Sequence, residues 1–312
     1  MTQKEISVII PTLNEEKNIL RCLDGIVGDP KIEIIISDGG STDRTVEIAE
    51  RYKDVKVVSS PMGRGVQMNA GASYAHGEIL LFLHADCILP TNVLLNIRHI
   101  FENNHVVGGA FKIKLLSNKF PYRLIEIGIN LRSQVFKLPY GDQGLFVKRS
   151  IFMGMGGFKE MNVCEDLDFI CRLKRCGKIA ILSEKIFSSV RRWENDGILQ
   201  TTLRNQLLLY EQELSFEGYN IITAKDDSEA VKKLQEHAPD LVVMDIILPK
   251  MDGFELMGKI MNERKKIPII VNTAYSGYMD NFMTWAADAY IIKSSDLSDL
   301  KNKIKELLGR TE

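Results

Sequence analysis

The sequence has little of what marks several protein classes. Its five cysteines in 312 residues form no CxxC pair, which disfavours a disulfide framework and a zinc site and predicts reduced thiols. Its 40 basic and 41 acidic residues nearly balance, which disfavours a nucleic-acid-binding protein. No hydrophobic run approaches the roughly 18 residues of a membrane span, and the polar Met1–Glu5 is unlike a signal peptide. We expect a cytoplasmic protein that contacts a membrane only peripherally.

The length suits about two domains. In both halves short apolar runs alternate with helical patterns, which predicts α/β folds built on mainly parallel sheets. The runs of the first half begin at Ile6–Ile10 and include Ile79–Leu83, whereas a compact βα repeat starts near Leu207. We predict one domain over residues 1–206 and a second over residues 207–312.

Polar residues follow three strands predicted in the first half. Asn14 and Glu15 come after the first strand, Asp38 after the second, and Asp86 after the strand Ile79–Leu83. Open parallel sheets bind ligands at the carboxyl ends of their strands, so these groups are expected at one edge. A simpler interpretation is that Asn14 caps a helix, which leaves Asp38 and Asp86 unexplained.

A carboxylate at this edge suits a divalent cation that also contacts a diphosphate. Mg²⁺ or Mn²⁺ takes a few protein oxygens and completes its shell with phosphate oxygens and water. Asp86 is the candidate ligand. Because the sequence has no GxxxxGK loop, a P-loop ATPase or kinase is disfavoured.

Ordered motifs in the first half resemble those of family-2 glycosyltransferases with the GT-A fold. The closest branch is compact, lacks membrane spans and is named for selenodomain- or radical-SAM-associated transferases. The similarity covers about residues 5–210, and it rests on the ordered set rather than on any one motif. The motifs are VIIPTLNEE at 8–16, ISDGGSTD at 36–43, RGVQMNAG at 64–71, LHAD at 83–86, GGAF at 108–111, GDQG at 141–144, EDLD at 165–168 and RRW at 191–193.

The resemblance implies an inverting transfer of a sugar from a nucleoside-diphosphate donor, with UDP favoured, to an unknown acceptor hydroxyl. Asp166, or its neighbour Glu165, would act as the catalytic base. Asp86, with His84 beside it, would bind the metal ion. The implied donor-binding residues are Pro11, Thr12, Asn14, Glu15, Asp38, Arg64, Asp86, Arg191, Arg192 and Trp193, and the acceptor side would include Gly109, Asp142 and Gln143.

Several of these residues have simpler explanations. His84 stands where the family usually has the first Asp of an Asp-x-Asp metal motif, so it is a hydrogen-bonding residue or a metal ligand. Acids at 165 and 166 also favour a helix N-terminus, and Trp193 is expected in the core more often than against a sugar. The amphipathic segment Phe120–Tyr140 is a membrane-surface element, a core helix or a homodimer face.

Three strands of the second half end at an Asp, a Thr and a Lys. The residues are Asp245, Thr273 and Lys293, and the span DLVVMDIILPKMDG at 240–253 resembles the receiver domain of response regulators. This resemblance implies that Asp245 is the phosphorylation site, Thr273 the switch hydroxyl and Lys293 the partner of the phosphoryl group.

The receiver pattern starts at its first helix, so its first strand and the acidic pair that holds Mg²⁺ are missing. We therefore predict a flavodoxin-like receiver domain that lacks its first strand and in which Asp245 is phosphorylated weakly or not at all. Two origins stay open: a truncated receiver kept as a scaffold or dimer surface, and a natural or engineered fusion.

Two other functions compete with glycosyl transfer. A nucleotidyltransferase is disfavoured because the segment 11–16 lacks the Gly and Lys that such enzymes carry after the first strand. The alternative from another class is a non-catalytic protein that binds nucleotide sugars in signalling or as a scaffold, with a phosphorylatable receiver.

Overall fold

The structure is a computed structural model in which the chain forms two compact units, residues 1–203 and 204–312. In the first unit it describes residues 4–90, 93–102, 105–161, 165–197 and 201. In the second it describes residues 207–208, 210–211, 213–224, 226–245, 247–248, 251–263, 267–273, 287–292 and 297–309. In this described part, no helix is long and apolar enough to cross a membrane.

The first unit is built on one eight-stranded mixed sheet in the order β3-β2-β1-β4-β7-β6-β8-β5. Strands β1 to β4 are parallel to one another, and β7 runs antiparallel to both β4 and β6. The strands are β1 (Ile6–Thr12), β2 (Ile32–Asp38), β3 (Val55–Ser59), β4 (Ile79–Phe82), β5 (Cys87–Ile88), β6 (Val106–Leu115), β7 (Leu145–Lys148) and β8 (Lys178–Ser188).

Helices cover the sheet, and a single 3₁₀ turn lies before β7. The helices are α1 (Ile19–Asp24), α2 (Thr45–Ala49), α3 (Arg64–Ser73), α4 (Val93–Phe101), α5 (Phe120–Phe136), α6 (Arg149–Gly154), α7 (Glu165–Cys176) and α8 (Arg191–Asp196), and the 3₁₀ turn is Gly141–Gln143.

The central strands are buried on both faces, as their continuous apolar runs predict. Ile6, Val8, Ile9 and Ile10 of β1 have no exposed surface. Helix α3 packs closely on this strand, because a Cβ at Gly71 would lie only 2.5 Å from the Cγ2 of Ile9. This contact sets how closely the last turn of α3 packs on β1.

The first helix is shorter than the sequence predicts. The pattern favours a helix over residues 14–23, but α1 begins at Ile19. Asn14 has a φ of 55°, in the left-handed region that a helix interior does not use. The interpretation of Asn14 as a helix cap is therefore wrong, and the residues before α1 form a loop at the end of β1.

The second unit contains a three-stranded parallel sheet in the order β13-β12-β9, and a short hairpin. Its strands are β9 (Val242–Met244), β10 (Ile247–Leu248), β11 (Met251–Asp252), β12 (Ile269–Thr273) and β13 (Ala289–Ile292). Its helices are α9 (Asp227–His237), α10 (Gly253–Glu263) and α11 (Ser298–Leu307), and the described residues between 207 and 216 are also helical. The helix expected over 278–287 lies almost wholly outside the described residues.

Residues 220–224, which the sequence favours as a strand, have no strand structure. A strand needs a neighbour to accept and donate its backbone hydrogen bonds. In receivers with the strand order 2-1-3-4-5 that neighbour is the first strand, and the described residues between α8 and residue 220 include no strand. The prediction of a strand at 220–224 is wrong.

Candidate active site

The ends of β1 and β2 bring Thr12 and Asp38 together. The two residues are directly opposed in the parallel register, and the hydroxyl of Thr12 donates to Oδ1 of Asp38 at 3.0 Å. The other carboxylate oxygen accepts from the backbone nitrogens of Gly40 at 3.0 Å and Ser41 at 2.8 Å. Asp38 is thus held in one orientation at the edge of the sheet.

Hydrogen bonding decides the ionisation of Asp38. Burial alone would raise its pKa, but the hydroxyl and backbone amide of Ser41, the amide of Gly40 and the hydroxyl of Thr12 together hold the pKa below its ordinary value. The group is therefore an anion at neutral pH. A carboxylate so fixed can accept hydrogen bonds from the base or ribose of a nucleotide.

Asn14 joins the loop after β1 to the loop after β2. Its side-chain oxygen accepts from the backbone nitrogen of Thr42 at 2.8 Å, and its own backbone nitrogen donates to the hydroxyl of Ser41 at 2.9 Å. These bonds explain why Asn14 adopts a left-handed conformation, which Asn tolerates better than most residues. Asn14 supports the edge at which Asp38 lies.

Glu15, Arg191 and Asp86 form a charged group at the same edge. The guanidinium of Arg191 donates to Oε1 of Glu15 at 2.9 Å. Burial raises the pKa of the Asp86 carboxyl, the negative charge of Glu15 raises it further, and the positive charge of Arg191 partly opposes both. Two carboxylates with one guanidinium leave excess negative charge here, which a cation would relieve.

His84 and Asp166 meet at Gly141, in the 3₁₀ turn. The backbone nitrogen of Gly141 donates to Oδ2 of Asp166 at 2.6 Å. A Cβ at residue 141 would lie 2.9 Å from Nε2 of His84 and 3.1 Å from Oδ2 of Asp166. Glycine is needed here because a side chain would crowd both groups. The carbonyl of Asp142 accepts a weak bond from the Cys87 thiol at 3.6 Å, which holds the turn close to residue 86.

Glu165 and Asp166 have different surroundings, although they are neighbours. Glu165 is 1% exposed and forms an ion pair with Arg64, which is 34% exposed. Burial raises the pKa of Glu165, Arg64 opposes that shift, and the charge of Asp166 adds to it. Asp166 is more accessible, and its carboxylate accepts from the backbone nitrogens of Gly141 and Leu167.

Gln67 is a supporting residue that we did not predict from the sequence as part of the site. Its buried amide donates to the carbonyls of Thr12 at 2.8 Å and Ser37 at 3.0 Å. It therefore fixes the ends of both strands that carry the Thr12–Asp38 pair. A polar residue four positions before Gly71, on the same inward face of α3, is the sequence signal that indicates it.

Several predicted site residues lie elsewhere. Gly109 is not in an acceptor-side loop but in the middle of β6, where a Cβ would collide with the carbonyl of Ala180 and the ring of Phe146. Trp193 is 6% exposed and packs in the main core, so it is not a sugar platform.

Gln143 is also buried, and it connects neighbouring elements of the fold. Its side-chain nitrogen donates to the carbonyl of Phe111 at 2.9 Å, and its side-chain oxygen accepts from the hydroxyl of Ser133 at 2.7 Å. Pro11 lies in β1 opposite Ser37. The side chain of Arg192 lies outside the described part of the chain.

In the second unit the strand register places Asp245 and Thr273 at one edge of the sheet. Met244 pairs with Val271, so Asp245 follows β9 beside the end of β12, where Thr273 is buried. Thr273 pairs with Ile292, the residue before Lys293. Lys293 itself lies outside the described residues.

Among the described residues, no group of three or more His, Cys, Asp or Glu side chains is arranged to hold a metal ion. A cation at Asp86 would therefore need ligands from the substrate, as in sites that keep Mg²⁺ on one or two carboxylates plus phosphates.

The family model for glycosyl transferase family 2 matches residues 7–162, which is half of the chain. The chain therefore belongs to glycosyl transferase family 2. The model for the response regulator receiver domain matches residues 204–305, so a receiver domain follows the transferase domain.

Solved structures agree on the GT-A fold of the first unit. TarS from S. aureus has a TM-score of 0.50 and 23% identity, over 59% of this chain and 60% of that chain. A mannosyltransferase from Pyrobaculum calidifontis, solved with GDP-Man and Mn²⁺, has a TM-score of 0.51 and 22% identity, over 61% of this chain and 58% of that chain.

Curated relatives match the receiver part. The alkaline phosphatase synthesis transcriptional regulatory protein PhoP of Bacillus subtilis is 36% identical over 108 residues, which are 34% of this chain and 44% of that protein. The response regulator ArlR of Staphylococcus aureus is 34% identical over 109 residues, 34% of this chain and 49% of that protein. The chain thus spans less than half the length of these two relatives.

Proposed function

We propose that the first unit is an inverting glycosyltransferase that moves a sugar from a nucleoside-diphosphate donor to an acceptor hydroxyl. One observation carries the proposal. The Thr12–Asp38 pair and Asp86 lie at the ends of neighbouring strands of one sheet, and Asp166 contacts Gly141, which also lies beside His84. Nucleotide recognition, charge neutralisation and proton removal each have a suitable group there.

The donor nucleotide would lie against Thr12, Glu15 and Asp38. Asp38 is ionised and fixed by four hydrogen bonds, so it accepts bonds from a nucleotide without having to reorganise. UDP is the favoured nucleotide within the family. GDP belongs in the same tests because the Pyrobaculum mannosyltransferase was solved with GDP-Man.

Asp86 is the proposed metal ligand, with His84 beside it. Burial raises the pKa of Asp86 and the negative charge of Glu15 raises it further, so a bound Mg²⁺ or Mn²⁺ would stabilise the ionised carboxylate. When bound, the cation would neutralise charge that develops on the leaving nucleoside diphosphate. Arg191, anchored on Glu15, supplies a second positive charge at this edge.

Asp166 rather than Glu165 is the proposed catalytic base. The acceptor oxygen forms a bond to the anomeric carbon, the bond from that carbon to the diphosphate breaks, and the acceptor proton goes to the Asp166 carboxylate. Backbone amides of Gly141 and Leu167 orient this carboxylate at 2.6 Å and 2.8 Å. Glu165 is enclosed and paired with Arg64, so we assign it the role of holding Arg64.

Asp166→Asn tests the assignment. The variant should lose at least about a hundredfold in transfer rate, the scale of a general base, while its affinity for the nucleoside diphosphate stays within about twofold. The assay is release of nucleoside diphosphate, paired with calorimetric binding. The matched control is Asp54→Asn, an exposed acid at the opposite end of β3, which should leave both quantities unchanged. Undiminished transfer by Asp166→Asn would make the base assignment wrong.

For the second unit we propose a degenerate receiver that accepts little or no phosphoryl group. Phosphoryl transfer to Asp245 needs Mg²⁺ held by several oxygens, and the segment 197–206 that precedes the first receiver helix contains no Asp or Glu. Acetyl phosphate with Mg²⁺, followed by mass spectrometry, should leave the full-length chain essentially unmodified at Asp245. A prompt, Mg²⁺-dependent gain of one phosphoryl group at Asp245, absent in Asp245→Asn, would overturn this proposal.

A further inference from the structure

Helix α5 presents an uncharged, apolar face to solvent. The side chains of five residues at helical spacing are between 55% and 72% exposed. They are Phe120, Leu124, Ile127, Leu131 and Val135. The other exposed residues of α5, all of which the structure describes, are Pro121, Gly128 and Gln134, so this face carries no charge. Contiguous apolar surface of this kind marks an interaction site.

The inward face of α5 packs Tyr122, Ile125 and Ile129 on the core and also carries polar side chains that complete the sheet. Asn130 accepts from the backbone nitrogen of Ile113 at 2.8 Å and donates to its carbonyl at 2.9 Å. Glu126 accepts from the backbone nitrogen of Leu115 at 3.2 Å. These side chains form hydrogen bonds with backbone groups in the part of β6 that does not pair with β7. The inward face of α5 therefore makes the contacts with the sheet and the core, and the exposed apolar residues make none of these hydrogen bonds.

Basic residues predominate in and beside α5. The segment from Lys112 to Lys137 contains six basic residues and one acidic residue, Glu126. That carboxylate is buried, pairs with Arg123 and lies 3.6 Å from Lys185, so its charge is compensated. Lys119 and Lys137 lie exposed at the two ends of α5.

We propose that α5 is a membrane-docking helix that lies flat on an anionic lipid surface. Its apolar face would enter the boundary between headgroups and acyl chains, and the flanking basic residues would contact lipid phosphates. Charge complementarity favours this occupant over a second copy of the chain. Self-pairing through α5 would bring two strongly positive segments together without a negative partner.

Docking through α5 would bring the proposed acceptor side close to the lipid. The helix leads directly into the 3₁₀ turn that contacts His84 and Asp166, and the hydroxyl of Ser133 in α5 donates to Gln143 in that turn at 2.7 Å. The docking proposal does not depend on glycosyl transfer, because binding to vesicles is measured without donor or acceptor.

The test is co-sedimentation of the full-length chain with vesicles. Phosphatidylcholine vesicles that also contain phosphatidylglycerol should bind the protein, and phosphatidylcholine alone should bind it much less. Leu124→Gln/Leu131→Gln should reduce binding to the anionic vesicles by roughly tenfold or more, because two large apolar side chains no longer enter the lipid. Lys119→Gln/Lys137→Gln should weaken binding several-fold, with the largest loss at low salt.

The matched control is Leu20→Gln/Met153→Gln, which removes two exposed apolar side chains from α1 and α6 and should bind vesicles as the unaltered chain does. All variants should keep the circular dichroism spectrum of the unaltered chain, since every changed residue is exposed. Failure of the unaltered chain to bind anionic vesicles, or undiminished binding by the α5 variant, would overturn the proposal. A dimer in solution that Leu124→Gln/Leu131→Gln converts to a monomer, without vesicle binding, would show that α5 is a self-association face instead.

Discussion

Breaking the ion pair between Arg64 and Glu165 should destabilise the first unit more than removing both charges does. Arg64→Met leaves Glu165, which is 1% exposed, as a buried carboxylate without its partner. Removing one member of a buried pair typically costs about 3–5 kcal/mol. Because Arg64 is one-third exposed and solvent screens it, we expect about 2–3 kcal/mol here.

The double variant should recover part of this loss. In Arg64→Met/Glu165→Gln the buried group is neutral, so the coupling between the two sites should be at least about 1 kcal/mol. The loss in Arg64→Met alone should also depend on pH. Burial raises the pKa of Glu165 and Arg64 opposes that shift, so without Arg64 the native state favours the protonated acid. The loss should therefore be largest at high pH and shrink as the pH falls.

Urea unfolding of the full-length chain measures these differences. Trp193 lies in the core of the first unit, and Trp285→Phe, introduced in every variant, makes it the sole fluorescent tryptophan of the chain. Additive effects of the two substitutions, with no pH dependence, would refute the conclusion that Glu165 serves as the partner of Arg64. That outcome would reopen Glu165 as a candidate base.

Four further substitutions give contrasting results. Asp38→Asn should lower the free energy of unfolding by about 2 kcal/mol at neutral pH. The difference from the unaltered chain should narrow in acid, because folding lowers the pKa of Asp38 and the stability that this gives is lost as the pH falls through that pKa. Urea unfolding at several pH values measures both effects. Gly71→Ala should destabilise the first unit by about 1–3 kcal/mol, because the new Cβ would lie too close to Ile9. Gly128→Ala should stabilise it by about 0.5–1 kcal/mol, because a Cβ at this position of α5 meets open space. Urea unfolding measures both differences. Asp226→Ala should remove the N-terminal cap of α9 and cost the second unit about 1 kcal/mol, seen as an earlier thermal transition of that unit alone.

The sequence predicts the edge of the sheet well because strand ends follow simple rules. The apolar runs of β1 and β2 end just before Thr12 and Asp38, the last residues of the two strands, and the parallel register sets these two side by side. The same reasoning places Asp245 and Thr273 at neighbouring strand ends of the second unit. Such groups can be located without knowing any packing in detail.

Features that depend on packing could not be predicted from local pattern. Gly109 follows another glycine and suggests a loop, but it is needed because β7 and β8 approach β6 from both sides. Gln67 and Asn130 are polar residues that serve backbone groups far along the chain. Strand structure at 220–224 would need a partner strand, which the described residues before it do not include, and local propensity carries no record of that partner.

The most direct test of nucleotide-sugar transfer is a thermal-shift panel of UDP, GDP, dTDP, CDP and ADP, each with and without Mn²⁺. A ligand that binds only the folded protein raises its stability by about 2.7 kcal/mol at a hundredfold excess over its dissociation constant. We predict a Mn²⁺-dependent shift with one nucleotide, UDP first, which is lost in Asp86→Ala. The absence of any shift with all five nucleotides would contradict a transferase and favour a scaffold that binds no donor.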